Sequence, residues 1–189
     1  MNTVSQLAAS GATLEPADAA IEQRSLLRMS SGEQIVAVHI EQVREILEVG
    51  RLTPLPRTPD FVRGVMNLRG AVVPVVDLSA RIGKGSTAIG RRSCIVVVES
   101  PAHNSDDDDD ATAGHNPPLI VGLLVDAVYE VFDTDAASIE PVPMLGTRIA
   151  ARYLNGMARA HGSVVAVLDL PHLLSVRDLA DAIAAHQPA

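Results

Sequence analysis

A chain of 189 residues that is 47% hydrophobic can bury a proper core, as one domain or as two small ones. With two Phe, two Tyr and no Trp, that core has to be aliphatic. A formal net charge of −8 gives no overall electrostatic footprint for nucleic acid or an anionic membrane, and no apolar run approaches the ~20 residues of a membrane span.

Residues 1–22 are small and polar and read as a disordered tail, without the basic start or apolar stretch of a signal peptide, which predicts a cytoplasmic protein. LLRMSSGEQIVAVHI then reads as two strands about a Ser-Ser-Gly-Glu turn. In IEQVREILE, Ile40, Val43, Ile46 and Leu47 fall near helical spacing and predict one or two helical turns. The three prolines of RLTPLPRTP forbid a helix interior and withhold ladder donors, so this stretch is an extended connection on the surface or at a sheet edge. FVRGV reads as a short turn of helix closed at Gly64. AVVPVVDL is almost wholly apolar, a strand buried on both sides whose Pro74 requires an edge or a bulge.

CIVVVE is a further strand, with the single cysteine, Cys94, as a small buried apolar side chain of a reducing compartment. Residues 101–118 carry five consecutive aspartates, Asp106 to Asp110, and read as a lengthened, disordered hairpin loop. Without that run the charge is about −3. LIVGLLVDAVYEVFD is one long strand or a bent pair, and Ser175 to Asp178 offers a capping box for a C-terminal helix over 175–187.

FVRGVMNLRGAVVPVVDL at 61–78 and YLNGMARAHGSVVAVLDL at 153–170 share seven identities without a gap, 92 positions apart. Gly64/Gly156, Gly70/Gly162 and Asp77/Asp169 are the informative ones. Some ten short strands, this duplication and a helical tail predict an all-β fold: two small β-barrels packed together, approximately 23–90 and 91–170, within one domain over 23–175.

Two lobes each ending an apolar strand in aspartate invite comparison with a two-lobed aspartic hydrolase using Asp77 and Asp169. The following residues, Leu78-Ser79 and Leu170-Pro171, are wrong for the turn that brings amides to such a carboxylate, and an aspartate capping a turn or helix serves instead. His103 and His115 flank the aspartate run, but a metal needs ligands held in fixed geometry. No phosphate-cradling loop and no nucleophile–histidine spacing is present, so catalytic, cofactor and metal residues are expected to be none. What remains is a small two-barrel interaction module.

The stretch TPDFVRGVMNLRGAVVPVVDLSARIG resembles the CheW family, the coupling proteins of bacterial chemosensory arrays. Pro54, Pro56, Phe61, Gly64, the run Asn67 to Gly70, Pro74, Asp77 and Leu78 match its signature, and the resemblance spans about Leu26 to Ser175. It implies two related five-stranded SH3-like barrels and a scaffold without catalysis. The implied partners are the regulatory domain of a CheA-type histidine kinase and the cytoplasmic tip of methyl-accepting chemoreceptors, in chemotaxis or in a related pathway controlling pili, surface motility or second-messenger output. Carried over by motif, Arg69 is the leading contact residue, Asn67 holds its loop, Gly64 lets the backbone turn, and Val43 and Glu45 face the receptor. Two departures stand out: LLRMSSGEQIVAV has no aromatic residue, and the aspartate loop is an insertion.

Overall fold

A computed structural model describes residues 22–101, 118–143 and 147–175. The strands are β1 (Gln23–Ser31), β2 (Gln34–His39), β3 (Val43–Glu48), β4 (Val62–Leu68), β5 (Ala71–Asp77), β6 (Cys94–Ser100), β7 (Leu119–Val125), β8 (Ala127–Asp135), β9 (Leu154–Ala160) and β10 (Ser163–Leu168). Two single-turn helices, α1 (Leu78–Arg81) and α2 (Leu170–Leu173), follow β5 and β10. The acidic run and the helix expected over 175–187 lie outside the described residues, apart from Pro101, Pro118 and Ser175 at their margins.

The strands form two five-stranded sheets, in the orders β8-β1-β2-β10-β9 and β3-β6-β7-β5-β4. Their topologies are the same: β5 runs parallel to β7 as β10 runs parallel to β2, and every other neighbour is antiparallel. The sheets do not divide the chain near residue 90. The second sheet is continuous, residues 43–125, and sits within the first, which takes its β1–β2 hairpin from 23–39 and the rest from 127–168. Strand order along a chain does not fix pairing, and here the hairpin closing the last sheet is made first.

Each sheet curls around its own small core. Leu26, Ala37, Ala158, Ala160, Val165 and Val167 fill the first, and Val75, Ile95, Val97 and Leu124 fill the second. A larger core lies between the sheets, where Leu27, Met29, Val36 and Val38 meet Val76, Val96, Val98 and Leu123. Alternate residues of one strand therefore enter different cores, which explains why β6, inside both, is apolar throughout its middle.

Three two-residue hairpins turn at Gly32-Glu33, Arg69-Gly70 and His161-Gly162, with positive φ at both positions, as tight hairpins of right-handed twist require. The internal repeat is visible in contacts as well as in sequence. Asp77 N donates to the Phe61 carbonyl at 2.7 Å and Asp169 N to the Tyr153 carbonyl at 2.9 Å. Thr53 exchanges two backbone hydrogen bonds with Val65, and Glu140 does the same with Met157.

Several local expectations change. IEQVREILE makes only a 3-10 turn, Ile40–Gln42, before extending into β3. FVRGV enters β4 rather than helix, because Gly64 sits at a bulge beside β5 and has φ +127°. LIVGLLVDAVYEVFD is the bent pair, and it breaks at Asp126. AVVPVVDL is buried only from Val73 onward, with Val72 70% exposed. Pro74 lies just ahead of Val75, where β7 first joins β5, so its missing N–H falls where that ladder has not begun. Cys94 is half-buried, at the start of its strand, and burial pushes its thiol pKa up. Among the described residues no helix is long and apolar enough to cross a membrane.

Candidate partner-binding site

Arg69 occupies the first turn position of the β4–β5 hairpin, at φ +53°. Asn67, the penultimate residue of β4, accepts a hydrogen bond from Gly70 N at 2.9 Å through its Oδ1, which fixes the turn. The hairpin leans on β3: Arg69 Nη2 donates to Glu45 Oε2 at 3.0 Å. The arginine side chain remains 80% exposed while that of Glu45 is 22% exposed, so the pair projects a cation from a shielded carboxylate.

Glu45 lies on an edge strand, since β3 pairs with β6 on one side only. A register shift between Val43 and Glu45 kinks the strand there. Val43, two residues before the carboxylate, is half-buried against the core between the sheets. Ile46, on the opposite face, is 45% exposed. Beside the ion pair, a cleft of about 440 Å³ opens between the end of β3 and β4. Its apolar lining is Leu47, Leu52, Met66, Leu68 and Ile95, with Arg51 at the rim.

Four of the five residues singled out from the sequence thus form one patch: Val43 and Glu45 on the edge strand, Asn67 and Arg69 on the hairpin above it. Gly64 belongs elsewhere. It is buried, and a Cβ there would run into the Thr53 carbonyl, so it serves to dock the proline-rich segment against β4. The cleft escaped sequence reasoning, because its lining comes from β3, β4, β6 and the segment after β3, and no local spacing announces it.

The two aspartates of the hydrolase reading are turn-holders. Asp77 is wholly buried; it accepts from Ala80 N at 3.2 Å and from the Thr87 amide and hydroxyl at 2.8 Å each, and Arg63 lies 3.6 Å away. Asp169 caps α2 by accepting from His172 N at 3.1 Å. Each carboxylate is engaged by its own turn, the arrangement of a cap and not of a proton-sharing pair. His103 and His115 lie outside the described residues.

Comparison with known proteins agrees with this architecture. Residues 25–178 match the model of the CheW-like domain. The chain is similar to the Chemotaxis protein CheW of Rhizobium meliloti, with 32% identity over 78% of this chain and 84% of that one. It is 35% identical to Protein FrzA of Myxococcus xanthus over 72% and 74% of the two chains. Among solved structures, that of the scaffolding protein TtCheW from Thermoanaerobacter tengcongensis superposes with a TM-score of 0.67 at 29% identity, covering 88% of this chain and 94% of the other.

Proposed function

The chain belongs to the CheW-like domain family, and from that premise we propose that it is a non-enzymatic adaptor holding a CheA-type histidine kinase and chemoreceptors in one chemosensory array. The family couples receptors to CheA in chemotaxis. For this chain, the finer assignment is that the patch of Val43, Glu45, Asn67 and Arg69 contacts the kinase's regulatory domain or the cytoplasmic tip of the receptors.

The observation that carries this reading is Arg69. A non-glycine residue in the left-handed region costs roughly 1–2 kcal/mol, and an exposed ion pair returns only about 0–1 kcal/mol. Glu33 and His161 bear the same turn strain, so what sets Arg69 apart is its charge: a cation projected from a shielded carboxylate beside an open strand edge suits recognition of a partner. The level of identity to FrzA supports a second reading with the same chemistry, in which the array governs pili, surface motility or second-messenger output.

The test is a binding titration against the regulatory domain of each CheA-type kinase from the same genome, with wild type, Arg69→Glu and the charge swap Arg69→Glu/Glu45→Arg. The expected result is micromolar or tighter binding to one kinase, weakened at least ~10-fold (about 1.4 kcal/mol) by Arg69→Glu with the circular dichroism unchanged. Recovery of binding in the swap would assign Arg69 to holding β3 in place, and no binding to any of these kinases would overturn the coupling role.

A further inference from the structure

The charge of this chain is segregated. Residues 49–93 hold eight Lys and Arg against two Asp, a formal +6, while the remainder holds seven basic against twenty-one acidic residues. The structure gathers much of the excess at one pole of the second sheet, where β3 ends and β6 begins. Glu48 pairs with Cys94, Cys94 with Val125 and Asp77 with Leu124, so the segments 49–61 and 78–93 leave the sheet at the same end.

Two closed turns display arginines there. Gly90 N donates to Ser93 Oγ at 2.9 Å and Ser93 N to the Gly90 carbonyl at 3.2 Å, which sets Arg91 and Arg92 at the tip. The loop bearing them is pinned below by the Thr87–Asp77 bonds. In the second turn Thr58 Oγ1 donates to the Leu55 carbonyl at 3.0 Å, with Pro56 and Arg57 between them. Arg57 has φ +58°, in the turn position after proline that ordinarily takes glycine. Its backbone is strained to hold an exposed cation.

Arg51, at the rim of the 440 Å³ apolar cleft, completes the set. All four arginines are exposed, and none has an ion-pair partner among the described residues. Asp60 is the acidic residue exposed on these segments, and the exposed Glu48 ends β3 beside them. Leu55 and Ile89, 40% and 53% exposed, lie on the same two segments as the arginines.

We propose that this pole, formed by Arg51, Arg57, Arg91 and Arg92 around Leu55, Ile89 and the apolar cleft, docks an acidic protein segment that carries a leucine-sized side chain between its carboxylates. Four guanidinium groups without an ion-pair partner among the described residues, one of them lining an apolar recess, match carboxylates flanking an apolar anchor. An anionic bilayer fits less well, because the strongly acidic remainder of the molecule would be repelled by the same surface. The cleft adjoins the Arg69 patch and shares Asn67 with it, but the four cations are distinct from Arg69, and the proposal does not depend on the coupling role.

The probe is a fluorescein-labelled peptide, Glu-Leu-Asp repeated four times, titrated by anisotropy at low and at physiological salt. Controls are the same peptide with Leu→Ser, phosphatidylserine vesicles and poly(U). Wild type is expected to bind the peptide with an affinity that falls steeply with salt. Arg51→Glu/Arg57→Glu/Arg91→Glu/Arg92→Glu should lose at least ~10-fold, and Leu→Ser in the peptide should weaken binding several-fold. Arg91→Ser/Arg92→Ser, confined to an exposed turn tip, provides a variant whose folding is not in question and should lose a smaller part. Equal binding by both variants, no binding by wild type, or preference for vesicles or poly(U) over the peptide would overturn the proposal. Arg91→Ser/Arg92→Ser, away from the Arg69 hairpin, should leave kinase binding unchanged, so this site and the kinase contact can fail independently.

Discussion

Arg81 and Leu173, 92 positions apart and therefore equivalent in the internal repeat, are joined directly: Arg81 Nε donates to the Leu173 carbonyl at 2.8 Å. The same guanidinium lies 4.9 Å from the ring centroids of both Phe61 and Tyr153, themselves an equivalent pair. One side chain from one half of the repeat thus sits between corresponding groups of both halves. Each cation–π contact contributes about 0.5–1 kcal/mol at a partly exposed site, and the hydrogen bond about 1 kcal/mol. Arg81→Ala should therefore cost about 2–3 kcal/mol in urea unfolding. A change under ~0.5 kcal/mol would show that the apolar core alone holds the sheets together.

Gly64 tests how the proline-rich segment is held. Alanine there meets both an unfavourable φ of +127° and the backbone of Thr53. Gly70, at φ +90° with open space around it, meets only the first. Gly64→Ala should destabilise by several kcal/mol, against about 1 kcal/mol for Gly70→Ala. Equal midpoints for the two variants in denaturant would mean that the Thr53–Val65 contact contributes nothing.

The two equivalent aspartates should differ under substitution. Asp77→Asn turns at least one acceptor oxygen into a donor facing the Thr87 donors or Ala80 N, and should cost about 2–3 kcal/mol. Asp169→Asn leaves a competent helix cap and should change stability by less than ~0.5 kcal/mol. Thermal unfolding of the pair checks this; a similar loss for both would mean that the buried network around Asp77 is no stronger than an exposed cap.

His39 ends β2, just before the turn into β3. Burial lowers its pKa below the ordinary 6.5, opposed by Glu41 and reinforced by Arg24. The unfolded chain therefore binds the proton more readily than the folded one. The contribution of His39 is complete above about pH 6.5 and is lost as pH falls from there through its lowered folded-state pKa. His39→Gln should flatten the decline in stability between pH 7 and pH 5.5, and an unchanged slope would assign the decline to other groups.

Periodicity, turn chemistry and composition are local properties, and what depends on them was legible before any coordinates. The Gly32-Glu33 hairpin, the apolar middle of β6 and the capping roles of Asp77 and Asp169 all follow from residues within a few positions of one another. FVRGV misled because a glycine at a β-bulge and one closing a helix look alike in sequence; the partner strand makes the difference. IEQVREILE misled because Ile40 and Val43 face one core, Leu47 another and Ile46 the solvent, which together imitate helical spacing.

The sequence by itself determined that the chain is all-β, doubled, aliphatic in its core and a relative of coupling proteins, and it singled out Arg69, Asn67, Val43 and Glu45. Only the tertiary structure decided that β1–β2 completes the sheet whose other strands come last, that Arg69 reaches Glu45 across 24 positions, and that Gly64 packs against the Thr53 backbone. It alone also brings the two arginine-bearing segments, 49–61 and 78–93, out of the sheet at the same end. Pairing between distant segments rests on which faces can be buried together, a property of the whole chain, so no window of sequence contains it.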